Sequence, residues 1–294
     1  MSLSETRKGE LFVFGEALLW SLFPIVTILS YSAFSPILSL AWSTFFACLI
    51  FVMLMLVRGR GKELFYKGIF KLSFLSAFFI GWLFYGLFFY GLKFTNSDNA
   101  SIIALMELFF AFLLFNIFHK QPFSARYKLG AVLMLLGAVI ILYPHNGWSF
   151  HGGDWLVLAA SACAPFGNYY QQKLRQIISS ETLLFLRSLF TFPIFFFLAY
   201  ILKTDSHWQL SVRSFWLLLF NGFVVLGISK IMWIEGIHRI SVTKADALAS
   251  LGPLFTVVFA YLILRQQPTV WQLLSFVPLA AGLILLTYQK SSAM

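Results

Sequence analysis

Charge is scarce in this chain. Only 11% of its 294 residues are Asp, Glu, Lys or Arg, against about 25% in soluble domains. That shortage excludes an ordinary water-soluble protein. Cysteine is nearly missing as well. Cys48 and Cys163 are the only two, and both fall inside apolar runs, so there is neither a disulfide framework nor a cysteine metal spacing. The five histidines (His119, His145, His151, His207 and His238) lie in loops or at helix ends. None has metal-ligand spacing within a span, so neither a metal nor a cofactor is expected. The basic turn "RGRGK" at 58–62 lacks the spacing and the following Ser/Thr of a phosphate loop. ATP-driven pumping therefore has no support. With no clustered nucleophile, metal set or acid–base pair, a membrane enzyme or an assembly factor is the minor reading, and the chain is not expected to be an enzyme.

Apolar residues are what the chain has in excess. They make up 60% of it, and 19% are aromatic. Apolar runs bounded by charged or turn residues fall near 11–29, 36–57, 68–91, 98–118 and 126–143, and again near 152–172, 181–202, 213–236, 243–264 and 269–288. A helix needs roughly 20 apolar residues to cross the hydrocarbon core, so this pattern predicts ten transmembrane helices. The first run follows a basic start, as a secretory signal does. Its length, Glu16, Trp20 and Pro24 favour a retained span.

The net charge of +10 invites a nucleic-acid reading. The basic residues instead lie between apolar runs, where orientation signals belong, so no nucleic-acid partner is expected. With the N-terminus placed in the cytoplasm, alternating segments put fifteen Lys/Arg inside and four outside (Lys93, Lys203, Arg213 and Arg265). That excess fits an N-in/C-in protein, multi-pass in the cytoplasmic (inner) membrane.

The two sets of runs resemble each other. Residues 90–123 align with 235–269: Gly91 with Gly236, Leu105–Phe110 with Ser250–Phe255, and both stretches run into a polar turn ending in Gln-Pro, at Pro122 and Pro268. Gly137 then aligns with Gly282. The chain therefore reads as two five-helix repeats, 1–146 and 147–294. Five spans is an odd number, so the second repeat must be inverted relative to the first. The expected fold is an all-α membrane protein of two inverted five-helix repeats (5+5), the architecture of secondary transporters, with a site near the midplane between the halves.

In detail the sequence resembles the drug/metabolite transporter superfamily, EamA type. The resemblance rests on the ten spans, the duplicated unit, "ALLW" at 17–20, and the paired segments "ALMELFF" (104–110) and "ASLGPLF" (249–255). It covers nearly the whole chain. Glu107 keeps the family's Glu while Leu108 replaces its Pro; the second segment keeps Pro253 and has Gly252 at the Glu position. Gln121 and Gln266 stand where an acid commonly follows. Arg187 matches the family's Arg in the second helix of a half. The resemblance implies export of amino acids, purines, drugs or other metabolites, with import in some relatives. It does not carry a substrate.

A charge at the centre of a spanning helix costs about 2.5–3.5 kcal/mol, so such residues need partners or a role. The ionisable residues inside runs are Glu16, Glu107, Arg187, Lys230 and Glu235, with Asp246 near a helix start. Glu16 and Glu235 read as interfacial, and Arg187 as a structural pair with a carboxylate or carbonyls, with substrate contact as the alternative. Asp246 divides between helix capping and site lining. Lys230 and Glu107 read as the deep pair of opposite sign. In span six, Asn168 and Gln171 share a face and either join helices or read a substrate. Trp20, Tyr85 and Trp233 are the aromatic residues with the best claim to shape a cavity. Trp20 shares its face with Glu16 and Phe23.

The expected substrate site is Trp20, Tyr85, Glu107, Asn168, Lys230, Trp233 and Asp246. In it Lys230 attracts an anionic group, and Glu107 pairs with Lys230, binds an amine or carries a coupling proton. The function expected is secondary transport of a small polar or amphipathic metabolite, amino-acid-like with aromatic ones included, by alternating access and outward. Uptake or uncoupled facilitated exchange is the alternative. The expected partners are the small-molecule substrate, the lipid bilayer and coupling protons, in a monomer or homodimer.

Overall fold

The computed structural model describes residues 4–119, 125–142, 152–203, 211–240, 245 and 248–287. Those residues are helical, with short connections and no β-strand among them. The first half comprises α1 (Glu5–Trp20), α2 (Phe23–Ser30), α3 (Pro36–Val57), α4 (Ile69–Ser76), α5 (Tyr85–Gly91), α6 (Ser97–Ala104), α7 (Met106–His119) and α8 (Ala125–Leu142). The second comprises α9 (Gly152–Arg175), α10 (Ser180–Ile201), α11 (Val212–Phe220), α12 (Ser229–Arg239), α13 (Gly252–Leu264) and α14 (Val270–Thr287). The join expected at 146/147 and the candidate Asp246 lie outside the described residues.

Local sequence sets the helix starts. Ser35 precedes Pro36, and its hydroxyl accepts from the Leu38 N–H at 3.3 Å. Asn96 accepts from the Asn99 N–H at 2.7 Å, and Ser211 from the Ser214 N–H at 3.1 Å. Each side chain satisfies a backbone donor that the first helical turn leaves open.

Five helical segments are long and apolar enough to cross a membrane: Glu5–Ser30, Pro36–Val57, Ile69–Gly91, Ser180–Ile201 and Val212–Arg239. Lys128–Gly137, Gly252–Leu264 and Val270–Leu285 are shorter apolar helices. Two expected spans depart from a plain apolar rod for identifiable reasons. The 97–119 segment is interrupted at Leu105, and α9 carries Asp154, Asn168, Gln171, Lys173 and Arg175.

The interruptions recur at corresponding places in the two halves. Leu105 N–H bonds Ile102 O, and Leu108 N–H bonds Leu105 O. Before α13, Leu251 N–H bonds Leu248 O, and Leu254 N–H bonds Leu251 O. Both are three-residue turns that break the four-residue helical ladder. Pro253 explains the second break, because it has no N–H to continue the ladder. The first break forms although Leu108 stands in the proline's place. Two π-helical stretches, Ala77–Phe84 joining α4 to α5 and Asn221–Ile228 joining α11 to α12, are likewise counterparts.

Packing between the halves is reciprocal. A Cβ on Gly137 of α8 would lie 2.4 Å from Leu279 Cγ of α14, and one on Gly282 of α14 would lie 2.7 Å from Met134 Cγ of α8. Gly137 aligns with Gly282 and Met134 with Leu279, so one contact is the other with the halves exchanged. The same holds for Gly91, which sits against Gly153 and Val157 of α9, and Gly236, which sits against Gly9 and Val13 of α1. Helices α3 and α10 pack on each other across the halves. A helical pair approaching this closely needs small residues at the crossing.

Candidate functional site

A cavity of about 210 Å³ lies between the halves, lined by residues of α1, α2, α5, α6, α7, α9, α10, α12, α13 and α14. Six of the seven expected site residues line it: Trp20, Tyr85, Glu107, Asn168, Lys230 and Trp233. The remaining one, Asp246, lies outside the described residues. The broken and π-helical stretches supply much of the wall. Ile80 and Phe84 come from the first π stretch, Leu105 and Ser250 from the two interruptions. At such places the backbone leaves the regular ladder, which lets side chains of adjacent turns point into one space.

One wall of the cavity is a cation in an aromatic frame. The Lys230 ammonium lies 2.7 Å from Glu16 Oε1 and 3.2 Å from the centroid of the Trp20 ring. Trp20 stacks on Phe23 with centroids 4.3 Å apart and planes within 8°, and Tyr85 stands 6.4 Å from Trp20. The ion pair is buried, with side-chain exposures of 13% for Lys230 and 4% for Glu16. Its origin is the α1–α12 crossing. Gly9 and Gly236 have no Cβ to hold these helices apart, so Glu16 reaches a lysine one helix away.

This changes one expectation: the ion pair of Lys230 is with Glu16, where Glu107 was expected, and Glu16 is a buried residue that lines the cavity.

The second polar wall is a hydrogen-bonded chain. An Arg187 guanidinium N–H donates to Gln171 Oε1 at 3.3 Å. Gln171 Nε2 donates to Asn168 Oδ1 at 3.2 Å, and Asn168 Nδ2 donates to Glu107 Oε1 at 2.6 Å. Arginine can only donate, so the Gln171 oxygen must face it; that turns the Gln171 amide nitrogen to Asn168, and the Asn168 nitrogen to Glu107. Arg187 also lies over the Tyr85 ring, 5.5 Å from its centroid. Arg187 and Gln171 both line the cavity. Neither was expected among the site residues, although the one-turn spacing of Asn168 and Gln171 placed both amides on one face.

Polar contacts also tie the helices at both ends of α9. At its Arg175 end, Glu235 accepts from Ser180 Oγ at 2.7 Å and lies 3.4 Å from Arg175. Arg58 approaches Glu181 at 3.4 Å. Glu63 accepts from the Ser179 N–H at 2.8 Å and Oγ at 2.7 Å. At its Asp154 end, Asp154 accepts from Thr95 and Asn99, Gln272 donates to Asn99 at 2.7 Å, and Ser97 donates to Gln266 at 2.9 Å. No group of His, Cys, Asp and Glu able to hold a metal occurs among the described residues.

The chain resembles known proteins at three levels. It is 24% identical over 203 residues to the uncharacterized transporter sll1164 of Synechocystis sp. (strain ATCC 27184 / PCC 6803 / Kazusa). That match takes in 65% of this chain and spans 58% of the relative's length. One protein of known crystal structure superposes with a TM-score of 0.70 at 19% identity, over 95% of this chain and 96% of that one, which shows a shared fold. The model of the EamA-like transporter family matches twice, over residues 7–143 and 151–288. With both halves matched in succession, the chain belongs to the EamA-like transporter family, a family of membrane transporters.

Proposed function

We propose that the protein is a secondary transporter with ten spans in two inverted five-helix repeats, 1–146 and 147–294, N-in and C-in, in the cytoplasmic membrane. It carries a small zwitterionic or amphipathic metabolite outward by alternating access, and an amino acid with an aromatic side chain suits the cavity best. The observation that carries this reading is that two separate polar clusters line one cavity between the halves. Lys230 on Trp20 offers a cation to a carboxylate, and Glu107 beside Asn168 offers an anion to an amine. Trp20, Tyr85 and Trp233 supply ring faces for an apolar or aromatic side chain. Charged pairs rather than area would then fix the orientation of the substrate.

The contacts at the two ends of α9 support alternating access. The helix is 24 residues long, or about 36 Å at 1.5 Å per residue, so Asp154 and Arg175 stand near opposite faces of the bundle. Opening either side requires its own set of polar contacts to separate while the other persists. The reciprocal contacts of Gly137 and Gly282 give the halves interchangeable packing, as exchange between two mirrored states requires.

The test is efflux of preloaded L-phenylalanine from proteoliposomes, with and without an imposed pH gradient. The reading expects efflux above that of protein-free vesicles, altered in rate by the gradient. Efflux equal to empty vesicles contradicts transport of this substrate class; efflux indifferent to the gradient favours uncoupled exchange.

A further inference from the structure

Glu16 is the carboxylate that the transport reading leaves without a task. It is 3% exposed as a residue, it faces the cavity, and it holds Lys230. A ligand carboxylate that binds Lys230 must share or take the ammonium group. We propose that it takes it: the ligand carboxylate displaces Glu16 from Lys230, and the displaced Glu16 picks up one proton from water, making Glu16 the proton carrier of the cavity. The inference rests on the reading of this cavity as the substrate site; because ligand and proton then occupy it together, an inward proton gradient would oppose outward carriage and drive the uptake alternative.

The step balances. Before binding, the wall holds Lys230 as an ammonium and Glu16 as a carboxylate, with no net charge. After exchange it holds the same ammonium, the ligand carboxylate and neutral Glu16, again with no net charge. Without the proton, one ammonium would face two carboxylates in a buried site. A buried charge that loses its partner is expensive, and a titratable group escapes that cost by becoming neutral. The Trp20 ring stays under the Lys230 ammonium through the exchange, so the cation keeps one favourable contact while its anionic partner changes.

Glu107 does not lose its partner in this exchange. Asn168 Nδ2 donates to its Oε1 at the end of a chain whose direction is fixed by Arg187, and a ligand carboxylate at Lys230 leaves that donor in place. On the wall of Glu16 the surroundings differ. Among the described residues, Lys230 is the charged group of α12 that lines the cavity. Arg187 of α10 and Glu107 of α7 belong to the other cluster, and the titratable cavity residues besides these are Tyr85 of α5 and Tyr169 of α9. The lining from α13, including Gly252, Pro253 and Thr256, carries no titratable group.

Two simple probes separate the walls. 3-Phenylpropionate has a carboxylate and no amine; phenethylamine has an amine and no carboxylate. Each is titrated into purified protein, and bound protons are counted from binding heats in buffers of different ionisation enthalpy. The expected result is about one proton taken up per 3-phenylpropionate, with affinity falling roughly tenfold per pH unit where Glu16 is ionised in the free protein. Glu16→Gln is expected to bind the same probe with no uptake and a flat pH profile. Because that variant orphans Lys230 within the fold, Glu16→Asp accompanies it and is expected to retain uptake. Binding of 3-phenylpropionate to the wild type without proton uptake overturns the proposal, as does uptake that survives Glu16→Gln or disappears in Glu107→Gln. Failure of 3-phenylpropionate to bind overturns it too. Phenethylamine reports on the Glu107 wall alone: binding that ignores Glu107→Gln counts against the zwitterion reading and leaves the exchange at Lys230 standing.

Discussion

Lys230 shows how much one residue in an apolar run discloses and how much it withholds. Its position in "VLGISKIMWIEGI" required a partner or a function, because an unpaired charge at membrane depth is costly. The partner was not legible. Glu16 lies more than two hundred positions away, and its nearness follows from the bare Gly9 and Gly236 at the α1–α12 crossing. The pair predicts an asymmetry in stability. Glu16→Gln leaves a buried ammonium without its anion and should lower stability by about 3–5 kcal/mol, the usual cost of halving a buried pair. The double variant Glu16→Gln/Lys230→Met, which buries no orphan charge, should recover much of that loss. Thermal denaturation in detergent checks both. A second residue-scale prediction concerns pH. Glu63 lies in the connection between α3 and α4; burial pushes its carboxyl up, but hydrogen bonds from Ser179 and Thr182 and the charge of Arg60 outweigh that and hold it below the ordinary carboxylate value. A carboxyl lowered on folding contributes stability above its unfolded value, about 4.3, and loses it as pH falls through the folded value. The melting temperatures of wild type and Glu63→Gln should therefore differ at pH 7 and converge in acid. A difference that persists unchanged under acid conditions would show that Glu63 acts by shape and not by charge.

At the scale of elements, the runs at 36–57 and 181–202 are legible almost to the residue, as α3 and α10, because each is a single uninterrupted apolar helix. The interruptions were less so. Pro24 and Pro253 mark two of them in the sequence, through the N–H they lack, but the break at Leu105 has no proline. Nothing in the run 77–84 announced a π-helical stretch, because that geometry is settled by packing. An added Cβ on Gly81 would lie 2.0 Å from Thr191 Oγ1 of α10. The matched glycines of α8 and α14 offer the sharpest test at this scale. A Cβ on Gly282 would meet the Gly130 carbonyl oxygen at 2.7 Å, and one on Gly137 would meet Leu279 Cγ at 2.4 Å. Contacts this short oblige something to shift, and overpacking of this kind costs about 1–3 kcal/mol. Gly282→Ala, which faces backbone, should lower the melting temperature more than Gly137→Ala, which faces a side chain that can turn. Equal losses would mean that the α8–α14 crossing yields as a whole.

For the whole molecule, the duplication was legible because a repeat keeps its glycines and turns even where chemistry diverges. Gly91 and Gly236 perform the same packing task in the two halves, while Glu107 and Gly252 do not. The divergence places the chemistry unevenly. The anion of one polar wall comes from the first half, at Glu107, and the cation of the other from the second, at Lys230. A substrate held by both would bridge the halves and move when they do. The measurement that bears most directly on this account is counterflow of labelled L-phenylalanine into proteoliposomes preloaded with the unlabelled amino acid, comparing wild type with Lys230→Met at equal insertion. The account predicts transient accumulation by the wild type and a fall of tenfold or more in the variant, a loss of about 1.4 kcal/mol or more. Undiminished counterflow by Lys230→Met would contradict it.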